Sequence, residues 1–429
     1  MKWRKNTSIS NNIISRRDFL GGAAAALWLT SCTPVSHYTS SEKSPYYFNG
    51  PMPRRVLEKY LSRAVTHAGL CSSYKDPTTP FLNDDIRMLV NIGAKFAGRT
   101  GLIWLTPRSD EEHFKVAERN AAKVHKADPE MILQAAIFEI VEKKINRWKV
   151  PAWVFEEFAL EPEERNFRYE DMLSKNGKYH NHWGKDASVP DMTRLETQMW
   201  FYYRARRYID SGFEAIHFGQ IRLIGMNDKG YKEWRKVLGR IRKYARQNAR
   251  RHWLLCDAHV PSSGIVYEDG KLLFDFHSFP LRLKEVAGQP QKCILEMGFL
   301  DAIYGRSKGG ITPSGWRCES LPFLVEFDNW HSSGKGGQSI GPGWGWGYDE
   351  MSWFARQSKS YRNDWLRYAW NWVREHDKNG YVQFATRRIL CDPIGDIEMY
   401  QANTKSSACP HGFGQEDTIK AIWTNNSVK

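Results

Sequence analysis

The chain has 429 residues, a formal net charge of +14 and 41% hydrophobic residues. This length suits one large domain with long loops. The charge suits an anionic substrate or an anionic membrane surface, although basic residues also serve simply as solvated faces. The densest basic run, residues 229–251, has apolar residues at helical spacing, which predicts one buried face. No recognised nucleic-acid-binding module accompanies the charge, so we exclude nucleic acid as a partner.

The N-terminus has the pattern of a removable targeting segment. Arg16 and Arg17 precede an apolar run that ends at Leu29, and the run is too short to span a bilayer permanently. The paired arginines resemble a twin-arginine export signal, and the sequence Leu-Thr-Ser-Cys ending at Cys32 resembles a lipobox, which implies lipidation of that thiol. The alternative is a short buried helix. We expect a signal over 1–32, a tether over 33–50 and one folded domain over 51–429, in an exported lipoprotein on the periplasmic or cell-surface side.

The folded domain begins with two predicted helices, at 56–65 and 84–92. An alternation of short apolar segments and amphipathic helices follows. One helix is predicted to begin after an N-cap at Ser109 and to bury Phe114, Ala117, Ala121 and Val124. The apolar segments read as eight strands, at 100–105, 132–141, 213–219, 253–257, 271–275, 293–297, 323–327 and 381–384.

Strands that alternate with helices are typical of parallel βαβ units, and eight of them predict a (β/α)8 TIM-like barrel with long rim loops. The fifth strand is short and its helix, at 281–286, is stunted. We therefore expect an irregular barrel, preceded by an N-terminal helical extension.

Polar residues stand at the carboxyl ends of these predicted strands, where such barrels do their chemistry. They are Glu139, His217, Gln220, Asp257, His259, Asp275, His277, Glu296, Glu326 and Asp328. Burying this many ionisable groups without partners would be costly, so they must pair, bind an ion or face a wet cleft. A structural network of ion pairs is the alternative to a catalytic site.

The arrangement resembles the barrel glycoside hydrolases of the large superfamily that has its acid/base after strand four and its nucleophile after strand seven. This resemblance implies that Glu326 is the nucleophile and that Asp257 is nearest to the acid position. The Asn-Glu pair typical of that superfamily is absent, since Cys256 precedes Asp257. Glu296 and Glu139 therefore remain as substitutes for the acid. Glycoside cleavage needs two carboxyl groups, whose separation decides the stereochemical outcome.

Aromatic content also favours a poly- or oligosaccharide substrate, because sugars stack their C–H faces on indole rings. The chain has 18 tryptophans, and a glycine-rich segment over 334–347 is predicted to be a mobile rim loop. This segment lacks the lysine spacing of a phosphate-binding loop. The residues expected to contact substrate are His217, Gln220, His259, His277, Asp328, Trp316, Trp330, Trp344 and Trp346.

Two other functions remain open. Histidines lie close to acids at His259 and Asp257, at His277 and Asp275, and at His331 and Asp328, which is compatible with a metal-dependent barrel hydrolase. Against this, the first strand lacks the His-x-His that such enzymes commonly carry there. We assign no metal and no cofactor. A non-catalytic carbohydrate-binding lipoprotein would keep the aromatic loops without needing two carboxyl groups.

Six cysteines follow Cys32, and no CxxC pair occurs among them, so a zinc ribbon fails on spacing. Export permits disulfides, and Cys391 with Cys409 is the most plausible pair. Cys256 and Cys293 lie within predicted strands, where we expect small buried apolar groups.

The lipobox generates the first testable prediction. Replacement of Cys32→Ser removes the acceptor thiol, so the variant should be a soluble exported protein or an uncleaved precursor. Membrane fractionation of expressing cells, with the parent chain as the control, measures the outcome. Unchanged anchoring of the variant would contradict the lipidation site.

Overall fold

The computed structural model describes residues 44–73, 79–102, 104, 106–107, 109–260, 265–299, 307–329, 334–335, 338 and 347–425. The chain from Ser44 onward forms one compact unit. Within the described residues, no helix combines the length and the apolar character needed to cross a membrane. The predicted signal with Cys32, most of the glycine-rich segment, His331, Trp330, Trp344 and Trp346 lie outside the described residues.

Eight parallel strands form the centre of the protein. They are β1 (Ala64–His67), β2 (Phe96–Leu102), β3 (Ile132–Ala136), β4 (Ala215–Gln220), β5 (Leu255–His259), β6 (His277–Pro280), β7 (Phe323–Glu326) and β8, which has two pieces, Gly380–Val382 and Phe384–Ile394. Each strand pairs in parallel with the next one along the chain. The first piece of β8 pairs with β7 and the second piece pairs with β1, and Gln383 alone separates the two pieces. The ring therefore closes, and the fold is a (β/α)8 barrel.

The helices are α1 (Arg54–Leu61), α2 (Thr79–Ile92), α3 (Asp110–Ala127), α4 (Ala152–Glu157), α5 (Tyr169–Met172), α6 (Leu195–Asp210), α7 (Ile221–Ile224), α8 (Lys232–Asn248), α9 (Glu350–Arg356), α10 (Lys359–His376) and α11 (Glu416–Asn425). Short 3-10 turns cover Lys143–Arg147 and Lys229–Tyr231. Two short strands, Val141–Glu142 and Ala187–Ser188, pair beyond β3, and Ile397–Gln401 pairs antiparallel with β8.

The barrel is irregular between β5 and β7. The described part of this stretch contains no helix, and two antiparallel hairpins lie between β6 and β7. Leu283–Glu285 pairs with Cys293–Leu295, and Gly310–Ile311 pairs with Arg317–Cys318. The expected irregularity is confirmed, whereas the helix predicted at 281–286 is wrong, because part of that segment is a strand.

Five of the eight predicted strands coincide with β3, β4, β5, β7 and β8. The first prediction begins four residues late on β2, and the fifth, at 271–275, ends just before β6. The sixth, at 293–297, is wrong as a barrel strand, since it belongs to an outer hairpin. The sequence pattern did not predict β1, because the strand has only four residues and the helix predicted at 56–65 overlaps its first two.

Several local expectations are confirmed. The side chain of Ser109 accepts a hydrogen bond from the backbone N–H of Glu112 at 3.2 Å, and the predicted apolar face of α3 is buried. The basic helix α8 buries one apolar face and exposes most of its lysines and arginines. All six described cysteines are free thiols, so the Cys391–Cys409 pairing is wrong, while Cys256 and Cys293 are buried as expected.

The barrel interior has an apolar floor. Each strand contributes one side chain, except that Phe276 directly precedes β6. The set is Ala64, Phe96, Ile132, Ala215, Leu255, Phe276, Leu324 and Tyr381. Residues of α1 and of the segment before it pack beneath this floor, which closes the amino-terminal end of the barrel.

A polar layer lies above the floor. Because side chains alternate along a strand, the residues two positions further along also face inward. They are Thr66, Gly98, Gln134, His217, Asp257, Ser278, Glu326 and Gln383. The interior of a barrel is usually packed with apolar residues, so a layer in which seven of the eight residues are polar, the exception being Gly98, marks the candidate site.

Candidate active site

Arg99 enters the barrel through a bulge in β2. The pairing of β2 with β3 shifts between Ala97 and Gly101, and Arg99 has a φ of 58°, which is a left-handed conformation. Such conformations cost free energy in residues other than glycine, and they persist where the surrounding structure compensates for them. A Cβ atom at Gly98 would lie 1.9 Å from the amide nitrogen of Gln383. A side chain at position 98 would collide with Gln383, so glycine allows Gln383 to pack beside the bulge.

The bulge directs Arg99 onto Glu326 at the end of β7. Arg99 Nε donates to Glu326 Oε2 at 3.1 Å, and Arg99 Nη2 donates to Oε1. The hydroxyl of Thr66 donates to the same Oε2 at 2.9 Å. His259 Nε2 and Arg388 Nη1 lie 3.8 and 3.9 Å from the carboxylate oxygens. Burial alone would raise the pKa of Glu326, but Arg99, His259 and Arg388 hold it well below the usual range.

Glu326 and the groups that contact it are called the Glu326 centre. Asp257 on β5 and its hydrogen-bond partners form a second buried cluster, the Asp257 centre. Gln134 Nε2 donates to Oδ1 at 2.7 Å, His217 Nδ1 lies 2.8 Å from Oδ2, and the hydroxyl of Ser278 also donates to Oδ2. Gln134 Oε1 in turn accepts the backbone N–H of Arg99 at 3.3 Å. One glutamine therefore connects the Asp257 centre with the Glu326 centre. Because the sequence analysis missed β1, Asp257 belongs to the fifth strand, and the inward residue of the fourth strand is His217.

Glu139 lies just beyond β3 and is held by the end of β4. Its Oε2 accepts the backbone N–H of Gln220 at 2.8 Å, and its Oε1 accepts the side-chain amide of Gln220 at 3.0 Å. Gly219 has a φ of 58°, and a Cβ atom there would lie 1.9 Å from Glu139 Oε2. The preceding residue, Phe138, lies 5.4 Å beneath the guanidinium of Arg99. Glu139 therefore shares the carboxyl-end rim with the Glu326 centre.

A further ionic cluster follows β7. Arg282 lies 3.1 Å from Asp328 and 3.1 Å from Glu350, and Glu350 Oε2 accepts the backbone N–H of Asp328 at 2.8 Å. Burial raises the pKa of Glu350 to about 8 despite Arg282. Burial also acts to raise the pKa of Asp328, but Arg282 and the histidine and arginines of the Glu326 centre outweigh it and lower that pKa. Arg388 Nη2 donates to the side chain of Asn329 at 2.6 Å, which joins this cluster to the Glu326 centre.

The structure locates three expected site residues away from the carboxyl-end rim. Glu296 lies on the outer hairpin, where its side chain is 46% exposed and pairs with Lys284 at 2.5 Å. Trp316 packs at the amino-terminal floor, and its Nε1 donates to the carbonyl of Met52 at 3.1 Å. His277 begins β6 and faces outward, because Ser278 beside it faces inward; burial lowers the pKa of His277 to about 4. These three expectations are corrected.

The histidine–acid pairs do not form a metal site in the described part of the chain. No group of three or more His, Cys, Asp and Glu side chains there has a metal-binding arrangement. His259 lies against Glu326 and Arg99, and Asp275 pairs with Arg242 of α8 at 3.1 Å. Guanidinium groups therefore stand where a cation would have to bind.

An aromatic cluster lines the rim beside β2 and β3. Trp104 is 40% exposed, and its ring lies 5.2 Å from Phe138 and 5.1 Å from Trp183. Trp183 Nε1 donates to the carbonyl oxygen of Glu139 at 2.8 Å, and the ring of His182 lies 4.5 Å from Trp183. The cluster connects an exposed indole directly to the carboxylate rim.

Sequence reasoning missed Arg99, Thr66, Gln134, Ser278 and Arg388. Thr66, Gln134 and Ser278 could have been found by the spacing of two residues that links each apolar floor residue to its polar successor. Arg99 itself breaks that spacing, since the bulge displaces it by one position.

Comparison with models of protein families and with curated proteins finds no match. Among solved structures, an α-galactosidase from Thermus thermophilus is 11% identical with a TM-score of 0.29, over 48% of this chain and 41% of that chain. A debranching enzyme from Nostoc punctiforme is 9% identical with a TM-score of 0.31, over 54% and 53%. A β-L-arabinopyranosidase of glycoside hydrolase family 27 from Geobacillus stearothermophilus is 11% identical with a TM-score of 0.30, over 52% and 54%.

These structural neighbours are glycoside hydrolases, and the chain spans between 41% and 54% of their own lengths. The strand pairing of this chain by itself defines the barrel.

The buried ion pair yields a prediction on stability. Arg99→Met and Glu326→Gln should each lower the free energy of unfolding by about 3–5 kcal/mol, because each leaves one buried group uncompensated. The double variant should lose clearly less than the sum of the two. Urea unfolding of all four proteins measures the coupling.

The exposed pair Arg235–Asp269 provides the control for this cycle. Its coupling should be much smaller than that of the buried pair, because solvent screens the two exposed charges. Strict additivity of the Arg99 and Glu326 substitutions would refute the assigned pairing.

Proposed function

We propose that this protein is a glycoside hydrolase that cleaves a poly- or oligosaccharide at the carboxyl end of its barrel. The observation that carries the proposal is the ionised, rigidly held carboxylate of Glu326 on β7, which accepts hydrogen bonds from Arg99 and Thr66. A nucleophilic carboxylate must be deprotonated and fixed in position before it attacks the anomeric carbon. The same strand bears the nucleophile in the superfamily that the sequence resembles.

Basic side chains keep the Glu326 carboxylate charged before substrate binds. Arg99 neutralises the carboxylate in the resting protein. His259 and Arg388 lie near the carboxylate, but at distances greater than 3.5 Å they form no direct hydrogen bond with it. As the bond to the leaving group breaks, the positive charge that develops on the sugar would compete with Arg99 for the Glu326 carboxylate. Donors already fixed at the site need not reorganise during that step.

The proton donor expected from the sequence was Asp257, Glu139 or Glu296. Both oxygens of Asp257 and both oxygens of Glu139 already accept hydrogen bonds from fixed neighbours, and Glu296 lies on the outer hairpin. Asp257 is therefore suited to positioning other groups. Glu139 is suited to contact with substrate through Gln220, whose side chain is exposed at the rim.

The aromatic rim supports a sugar as the substrate class. Trp104 exposes part of its ring while Phe138 and Trp183 fix its orientation. A fixed indole offers an apolar face for the C–H side of a pyranose ring at little conformational cost. Asp328, with a side chain 31% exposed, offers a nearby acceptor for sugar hydroxyls.

We also propose that the protein acts outside the cytoplasm as a lipid-anchored protein. The support is the paired arginines and the lipobox-like sequence at Cys32. A basic surface would further favour an anionic polysaccharide or an anionic membrane as a partner.

A panel of 4-nitrophenyl glycosides and of neutral and anionic polysaccharides tests the activity. On any substrate that the parent cleaves, Glu326→Gln should lower kcat by several powers of ten, because the covalent intermediate cannot form. Azide should restore turnover to Glu326→Ala and yield a glycosyl azide of inverted configuration. Circular dichroism confirms that the variants compared are folded.

Glu296→Gln is the matched control, since this exposed carboxylate pairs only with Lys284 among the described residues. Its activity should equal that of the parent. Near-full activity of Glu326→Gln would remove Glu326 from the mechanism, and binding without hydrolysis by the parent would favour a carbohydrate-binding protein.

A second prediction concerns the exposed indole. Trp104→Ala should raise KM for an oligosaccharide substrate more than it lowers kcat, because stacking contributes about 0.5–1.5 kcal/mol beyond the burial of area. Trp372→Ala on α10 is the control and should leave both constants unchanged. A loss confined to kcat would contradict a role in stacking.

A further inference from the structure

His217 presents an unsatisfied ring nitrogen inside the polar layer. Its side chain is only 2% exposed, and no described group lies within hydrogen-bonding distance of Nε2. A buried polar atom without a partner is uncommon in folded proteins and calls for an explanation.

Asp257 determines which nitrogen of the ring carries the proton. Gln134 and Ser278 already donate to this carboxylate, so the 2.8 Å contact with His217 Nδ1 requires that Nδ1 bear hydrogen. Nε2 of the neutral ring is then a bare acceptor. Burial and Arg99 lower the pKa of His217 against the opposing effect of Asp257, which favours this neutral form.

The free nitrogen belongs to the same centre as Glu326. The ring of His217 lies 4.9 Å from that of His259 and 6.1 Å from that of Phe138. His259 Nε2 lies 3.8 Å from Glu326 and 3.5 Å from Arg99 Nη2. A single imidazole ring therefore separates His217 from the carboxylate assigned as nucleophile. The strand that carries His217, β4, ends at Gln220 on the rim.

We propose that His217, oriented by Asp257, is the proton-transfer group of the reaction in which Glu326 is the nucleophile. This inference rests on the proposed function. It gives Asp257 a positioning role, and it replaces the second carboxylate that the resemblance led us to expect.

The proton balance of the cycle closes on His217. The resting ring is neutral, so Nε2 first takes up a proton from the solvent. In the first chemical step, Nε2–H of this imidazolium donates its proton to the leaving oxygen, the bond from the anomeric carbon to that oxygen breaks, and the bond to Glu326 forms. In the second step, neutral Nε2 takes a proton from water, whose oxygen attacks the anomeric carbon and displaces Glu326 as a carboxylate. The imidazolium is thereby restored for the next cycle.

The experiment uses two classes of aryl glycoside of the sugar that the parent cleaves. His217→Ala should lower kcat/KM about 10²–10⁴-fold on 4-methoxyphenyl glycosides, whose poor leaving group needs a proton. On 2,4-dinitrophenyl glycosides the leaving group needs no proton, so the first step should be almost unaffected. The covalent intermediate should accumulate, and the release of dinitrophenol should show a burst. Azide should then accelerate turnover and yield a glycosyl azide of retained configuration, whereas Glu326→Ala yields the inverted one.

Two further measurements separate catalysis from structure. Nitrogen-15 NMR of the parent at neutral pH should show His217 protonated at Nδ1 and bare at Nε2. His113→Gln is the matched control, because His113 is equally buried but pairs with the hydroxyl of Tyr208 at 2.9 Å, away from the polar layer. Its activity per folded molecule should equal that of the parent.

Each result decides the proposal. An Nε2–H tautomer, equal losses on both classes of glycoside, or no azide product with His217→Ala would overturn it while leaving the proposed function intact. If Glu326→Gln retains activity, the nucleophile assignment fails first and the role of His217 fails with it. If the parent cleaves no glycoside, both proposals are rejected.

Discussion

The ion pair between Arg99 and Glu326 is the constraint on which the upper barrel depends. Neither charge could be buried in the barrel alone, because desolvation would exceed any gain from packing. The pair explains the left-handed conformation of Arg99, which β2 would otherwise avoid, and the glycine at position 98 that makes room beside it. Thr66 adds a third hydrogen bond to the carboxylate. Strain in the strand is thus balanced by electrostatics across the barrel.

This pair is one end of a polar layer that crosses the whole barrel. Gln134 bonds to both Arg99 and Asp257, so displacement of one centre disturbs the other. The apolar floor below excludes water from one side, which strengthens the electrostatic interactions in the layer. The layer therefore provides donors and acceptors that are fixed before substrate arrives, and such preorganisation is the main physical source of catalysis in enclosed sites.

Much of the fold could be predicted from local patterns. Five barrel strands, the cap at Ser109 and the buried faces of α3 and α8 follow from short-range periodicity and capping chemistry, which depend on neighbouring residues. The errors have separate causes: the helix predicted at 56–65 overlaps β1, and the periodicity of the strand at 293–295 does not separate an outer strand from a barrel strand. The missed strand β1 and the surplus strand at 293–297 cancel in the strand count before Glu326, which therefore stays on the seventh strand. Asp257 precedes the surplus strand, so it moves from the fourth strand to the fifth.

The sequence by itself determined the barrel class and the polar residues near its strand ends, because both follow from spacings of two to four residues along the chain. Only the tertiary structure decided which of those residues meet. Arg99 and Glu326 are 227 positions apart, and their contact depends on ring closure through β8 and on a bulge that local pattern does not reveal. The unpaired nitrogen of His217 likewise exists only because three strands direct their side chains at one aspartate.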